Sequence, residues 1–158
     1  MTLIPKTTAY LYETDFVAWT EQTAQLIRAG QFGQVDWDAV IEEIESLGRS
    51  DRRELKSRLE VLLQHLLKWQ YQSNLRSGSW RNTIDEQRNR IEDLLQESPS
   101  LKSYPEEVLA ECYRRGRFWA SNETELPLDT FPAECPYTIT QVLDTEFLPE
   151  ATDFEGDR

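Results

Sequence analysis

Residues 50–73 read SDRRELKSRLEVLLQHLLKWQYQS, and this stretch decides the fold. Leu55, Leu59, Leu62, Leu63, Leu66 and Leu67 recur at three- and four-residue steps. That rhythm lays them on one side of an α-helix, in a stripe broad enough to need neighbours on more than one flank. The stretch is therefore expected to be the central helix of a bundle, capped by Ser50 and broken by Ser73, Asn74, Ser77, Gly78 and Ser79.

Upstream, Phe16, Trp19, Thr23, Leu26 and Ile27 keep a helical rhythm. Thr14 stands as N-cap and Gly30 at the C′ position, where a left-handed residue ends a helix. Asp36 caps a second helix, with Val35 and Val40 as a hydrophobic staple and Asp38 in its electropositive first turn. That helix is expected to turn Val40, Ile41, Ile44 and Leu47 inward and to stop at Gly48.

Downstream, Ser79 caps a helix with Trp80, Ile84, Ile91, Leu94 and Leu95 facing in, ending at Ser98-Pro99. A turn over 100–104 leads to a helix over 105–123 with Val108, Leu109, Cys112, Trp119 and Ala120 inward. Gly116 in its middle marks a close helix crossing, at some cost in helix propensity. Pro127, Pro132, Pro136 and Pro149 then alternate with Phe131, Tyr137 and Phe147, around a short helix near 138–145. The expected architecture is all-α: a bundle of four to five main helices with a proline- and aromatic-rich C-terminal segment packed on it. Residues 1–150 read as one α-helical domain, and residues 151–158 as a disordered acidic tail.

Length and composition agree. A chain of 158 residues can bury a core without metals or disulfides. No apolar run approaches the eighteen residues of a membrane span, and no basic stretch followed by an apolar one opens the chain, so a cytoplasmic protein is expected. Two cysteines, Cys112 and Cys135, form no disulfide framework and no zinc-ligand spacing, and no cofactor is implied. The net charge of −12 is unevenly spread: −6 over 1–48, +5 over 49–90, −2 over 91–121 and −9 over 122–158. The ends can neutralise the middle within one fold, or the basic segment 49–90 can meet an anionic partner such as nucleic acid.

An ordered series of motifs carries a resemblance. It runs Tyr12-Glu13-x-Asp15-Phe16-x-x-Trp19, Asp36-Trp37, and Glu42-Glu43-Ile44-x-x-Leu47-Gly48. It continues through Leu62-Leu63-Gln64-His65-Leu66-Leu67-Lys68-Trp69, Ser79-Trp80-Arg81-x-Thr83-Ile84 and Ser98-Pro99-Ser100-Leu101. It closes with Glu123-Thr124, Phe131-Pro132 and Cys135-Pro136-Tyr137. Over residues 8–150 the chain resembles the bacterial, largely cyanobacterial, family called domain of unknown function 29. The resemblance implies a single-domain, α-helical cytosolic protein and carries over no catalytic residue. Pro105 departs from the pattern, standing where a plain helix former belongs.

His65, the one histidine, shares its side of the helix with Lys68 and Trp69, and Arg58 lies two turns back. It can be a general base or metal ligand, or a core histidine with satisfied nitrogens. If the second and third helices pack antiparallel, Glu43 is the carboxylate best placed to face it. His65 with Glu43 and Glu123 is the weak metal-binding set; none is expected to hold an ion, since the paired Glu-x-x-His of di-metal bundles is missing. Arg58 and His65 also match the loose Arg-x(4–6)-His spacing of an α-helical ribonuclease group, where arginine and histidine act on a phosphate; Leu59 departs from the polar residue usual there. Arg52, Arg53, Arg81 and Arg88, with Trp69 and Trp80 between them, are binding candidates, either for single-stranded nucleic acid or as anchors at a protein interface.

Three functional readings follow. The first is a non-catalytic module that binds another macromolecule, most simply a protein or a second copy of itself, and no membrane, through the arginine-rich third and fourth helices or the aromatic C-terminal segment. The second is an RNA-processing domain using Arg58 and His65 with Lys68 assisting. The third is a metal-dependent hydrolase built on His65 with glutamates.

Overall fold

The computed structural model describes residues 6–152. Six α-helices follow in order: α1 Lys6–Thr14, α2 Phe16–Arg28, α3 Trp37–Tyr71, α4 Gly78–Glu97, α5 Tyr104–Thr124 and α6 Ile139–Leu143. No strand occurs among the described residues, so the protein is all-α as its periodicity requires. The chain groups into two compact units, Met1–Ser50 and Asp51–Arg158, where the sequence suggested one domain over 1–150. The six residues beyond Thr152 lie outside the described part. Ala151 and Thr152, assigned to the tail, are within it, and Thr152 N–H donates to the Gln70 carbonyl at 2.9 Å.

The largest departure from expectation is at Gly48. Residues 37–71 form one uninterrupted helix, so Gly48 does not end one and Ser50 does not cap another. A helix-interior glycine costs about 1 kcal/mol, which does not stop a helix unless the chain turns left-handed or meets proline. Here the turns before it are fastened instead: Arg49 pairs with Glu42 at 2.8 Å and Glu45 at 3.7 Å. Gly30, by contrast, adopts φ +70° and does end α2. The other boundaries fall close to expectation. Asp15 rather than Thr14 caps α2, accepting from Ala18 N–H at 3.0 Å. Asp36 caps α3 through Ala39 N–H at 3.2 Å. Ser77 rather than Ser79 caps α4, accepting from Trp80 N–H at 3.3 Å. Pro105 sits in the first turn of α5, where its missing N–H leaves no helical bond unmade.

In the N-terminal unit, Trp19 is buried against Tyr12 and Phe16, with ring centroids 4.8 and 5.6 Å away. Tyr12 Oη donates to the Glu43 carboxylate of α3 at 2.6 Å. The inward stripe expected for this part of α3 is not buried. Ile41, Ile44 and Leu47 are 50, 63 and 70% exposed, and Phe16 is also exposed. Two short helices offer too little surface to cover a broad apolar face, which is the ordinary difficulty of a very small unit.

The C-terminal unit buries its stripe completely. Leu55, Leu59, Leu62, Leu63, Leu66 and Leu67 have no exposed surface. They pack in one cluster with Ile84, Ile91, Val108, Tyr113 and Ala120. Each such leucine contributes roughly 1.5–3 kcal/mol. The close crossing expected at Gly116 is present: a Cβ there would stand 3.0 Å from the Glu60 carbonyl oxygen and 3.1 Å from Gln64 N. Trp119, expected inward, is 51% exposed and meets Phe118 edge-on at 5.5 Å.

The proline- and aromatic-rich segment packs on this bundle. Phe131, Tyr137 and Val142 are buried in the cluster. Polar struts fix the backbone between them. Tyr113 Oη donates to the Pro132 carbonyl at 2.6 Å, and the Arg117 guanidinium to that of Phe131 at 3.0 Å. The segment is thus a lid on the leucine stripe, held by side chains of α5 and by Arg88 of α4.

Candidate functional site

The lone histidine lies in the C-terminal unit beside the most buried ion pair. Lys68 is buried and donates through Nζ to Glu123 Oε2 of α5 at 2.6 Å. The same ammonium lies 4.5 Å from the centroid of the Trp80 ring, so a carboxylate and an aromatic face together replace its water. Burial raises the Glu123 carboxyl, but the Lys68 bond and charge, with the Gln64 amide, outweigh it and leave the group below the usual carboxylate range.

His65 stands at the edge of this cluster. Its Nδ1 is 2.9 Å from the Val61 carbonyl of its own helix. A carbonyl only accepts, so Nδ1 carries the proton. Burial pushes its pKa below the ordinary value; the Val61 bond opposes that, and the Lys68 charge reinforces it. With the Nδ1 proton on the Val61 carbonyl the tautomer is fixed, and Nε2 is the ring's acceptor nitrogen.

Of the partners suggested for His65, Lys68 and Glu123 are close enough to bear on its charge, while Glu43 and Arg58 are engaged elsewhere. Glu43 and His65 belong to the same helix, so two antiparallel helices cannot bring them together, and Glu43 holds Tyr12. Arg58 pairs with Glu54 at 2.8 Å and donates to Gln87 Oε1 at 3.2 Å. No group of three or more metal-ligating side chains occurs among the described residues. The two thiols are held protonated by burial, that of Cys112 pushed up to about 12.

The arginine and tryptophan candidates are mostly structural in their contacts. Arg88 is buried, and its Nε donates to the Val142 carbonyl at 2.9 Å, closing the C-terminal end of α6. Arg81 holds Asp85 at 3.0 Å, one turn along α4. Trp69 lies beneath the Arg76 guanidinium at 4.8 Å, and Trp80 beneath Lys68. Arg52 and Arg53 remain exposed and form no ion pair among the described residues.

The feature that sequence reading missed is a groove in the N-terminal unit. About 220 Å³ of space lies between α2 and α3, lined by Trp19, Ala24, Ile27, Val40, Ile44 and Leu47, with Thr20, Thr23 and Glu43 as its polar members. Two larger cavities belong to the C-terminal unit. One of about 450 Å³ is lined by Glu106, Tyr113, Arg114 and Cys135, and one of about 360 Å³ by Arg88, Glu92, Leu143 and Asp144. Neither includes His65 or Arg58. The signal for the groove was present in the spacing of Val40, Ile44 and Leu47, but periodicity reports which face is apolar and not whether anything covers it.

Fold and site together define an all-helical protein, and among its described residues no helix is long and apolar enough to cross a membrane. The chain belongs to the family described as Domain of unknown function DUF29, which matches residues 11–148. This agrees with the motif series from Tyr12 to Tyr137. No curated protein and no solved structure matches the chain.

Proposed function

We propose that the protein acts by binding another protein, through the apolar face that α2 and α3 present in the N-terminal unit. One observation carries this reading: Ile41, Ile44 and Leu47 stand in helical succession on α3, each at least half exposed. An uncovered row of large aliphatic side chains beside a lined groove is costly in water and is the usual mark of an interaction surface. This reading uses residues 16–47 in place of the arginine-rich segment or the aromatic C-terminal segment. The contacts of His65 and Arg58 favour structural roles for both.

The test is a photo-crosslinking amino acid placed at Ile44 in the full chain, with a control at exposed Arg114. The expected result is a defined protein adduct from position 44 that is absent from position 114 and lost when Leu47→Asp is added. Adducts of equal yield from both positions contradict the proposal.

A further inference from the structure

Resting on that reading, we infer that the occupant of the α2–α3 groove is an amphipathic helix with basic flanks, contributed by a partner protein. The groove's shape supplies the first argument. Val40, Ile44 and Leu47 on α3 and Trp19, Thr23 and Ile27 on α2 are rows at helical spacing that line one channel. Such paired ridges receive a third helix, whose own apolar side chains recur at i, i+3 or i+4, and i+7. The row from Val40 to Leu47 spans about 10 Å, or two helical turns. Three anchors of the incoming helix fill it.

The second argument is unmet hydrogen bonding. Trp19 and Thr23 are each more than nine-tenths buried, yet Trp19 Nε1 and Thr23 Oγ1 have no partner among the described residues. Both residues line the groove. A buried indole N–H left unpaired is costly, and since the carbonyls of an incoming helix are bonded within it, the acceptor has to come from one of its polar side chains.

Charge supplies the third argument. Residues 1–50 hold eight acids (Glu13, Asp15, Glu21, Asp36, Asp38, Glu42, Glu43 and Glu45) against Lys6, Arg28 and Arg49. Arg49 is already committed to Glu42 and Glu45, while Glu43 lies in the groove lining itself. A second copy of the chain docked through the same face would bring the same acidic surface against this one, and an anionic membrane would be repelled likewise. Lysines and arginines flanking the apolar anchors of the incoming helix complement it and speed its arrival.

The test uses the full chain and two dye-labelled helical peptides. Both carry leucines at i, i+3, i+4 and i+7; one is flanked by lysine and arginine, its twin by glutamate. By fluorescence anisotropy at low salt, the basic peptide is expected to bind about tenfold or more tightly than the acidic twin. The gap should narrow as salt is raised, and Ile44→Asp or Leu47→Asp should abolish binding while the circular dichroism spectrum stays helical. Equal binding of the twins, no binding by either, or binding undiminished in both variants overturns the inference. Sedimentation as a dimer that Ile44→Asp dissociates overturns it in favour of a second copy, and co-flotation with anionic vesicles overturns it in favour of a membrane. If the peptides fail while the crosslink at Ile44 succeeds, only the basic helix is rejected. If both fail, the protein-binding reading falls with it.

Discussion

Two stretches of α3 carry large aliphatic residues at the same helical spacing and meet opposite fates. Leu55 to Leu67, in the C-terminal unit, are fully buried, while Ile41 to Leu47, in the N-terminal unit, stand half or more in water. Nothing in local propensity separates them. The difference lies in what each unit has to cover a stripe with. The C-terminal unit has α4, α5 and a segment of buried aromatics bolted down by Arg88, Tyr113 and Arg117. The N-terminal unit has two helices of nine and thirteen residues. An amphipathic stripe is thus a demand for a partner, which the described residues meet in one unit and leave open in the other.

The sharpest way to break this comparison is to truncate one residue from each stripe. Leu63→Ala should cost about 2–5 kcal/mol, the loss of a buried side chain plus the cavity it leaves. Ile44→Ala should move stability by no more than about 0.5 kcal/mol, since an exposed residue makes few contacts to lose. Urea unfolding of the two variants measures both. Similar losses would show that the two stripes are equally buried in solution.

A smaller effect is expected from Gly116→Ala, which probes how tightly the covered stripe is closed. The new Cβ would press on the α3 backbone at Glu60 and Gln64. Overpacking of this kind costs about 1–3 kcal/mol, against roughly 1 kcal/mol gained from better helix propensity. Net destabilisation, or no net change, is the expected outcome by thermal melting; a clearly raised Tm would mean that α5 crosses α3 less closely than described.

The smallest effect concerns His65. Burial lowers its folded-state pKa below the 6.5 of a free imidazole. On acidification the unfolded chain therefore takes up the proton first. The stability this residue confers is complete above about pH 6.5 and is lost as the pH falls through that value toward the folded pKa. His65→Gln should flatten the decline of the urea midpoint in that window. An unchanged slope would mean that His65 is solvated like a free imidazole.

How much of this was legible follows the same physics. The stripe of Leu55–Leu67, the turn at Ser98-Pro99, the crossing at Gly116 and the aromatic lid were readable, because each is a local pattern with one cheap structural solution. Gly48 was misread because a glycine that only weakens a helix and one that ends it look alike until the backbone conformation is known. Trp119, Ile44 and Leu47 were placed inward because period reports a face and not its neighbours. Arg88 looked like a binding residue; only the approach of α6, fifty residues along the chain, turns it into a strut. The Lys68–Glu123 pair joins residues 55 apart in sequence, and spacing along a chain cannot show which cation a carboxylate will meet.

Hydrogen–deuterium exchange on the full chain, with and without the basic amphipathic peptide, tests the central claim most directly. The account predicts that amides of Leu55–Tyr71 are the slowest to exchange in either case, and that added protection is confined to residues 19–27 and 40–47. Protection appearing on α4 and α5 instead, or none anywhere at a peptide concentration that saturates binding, would contradict it.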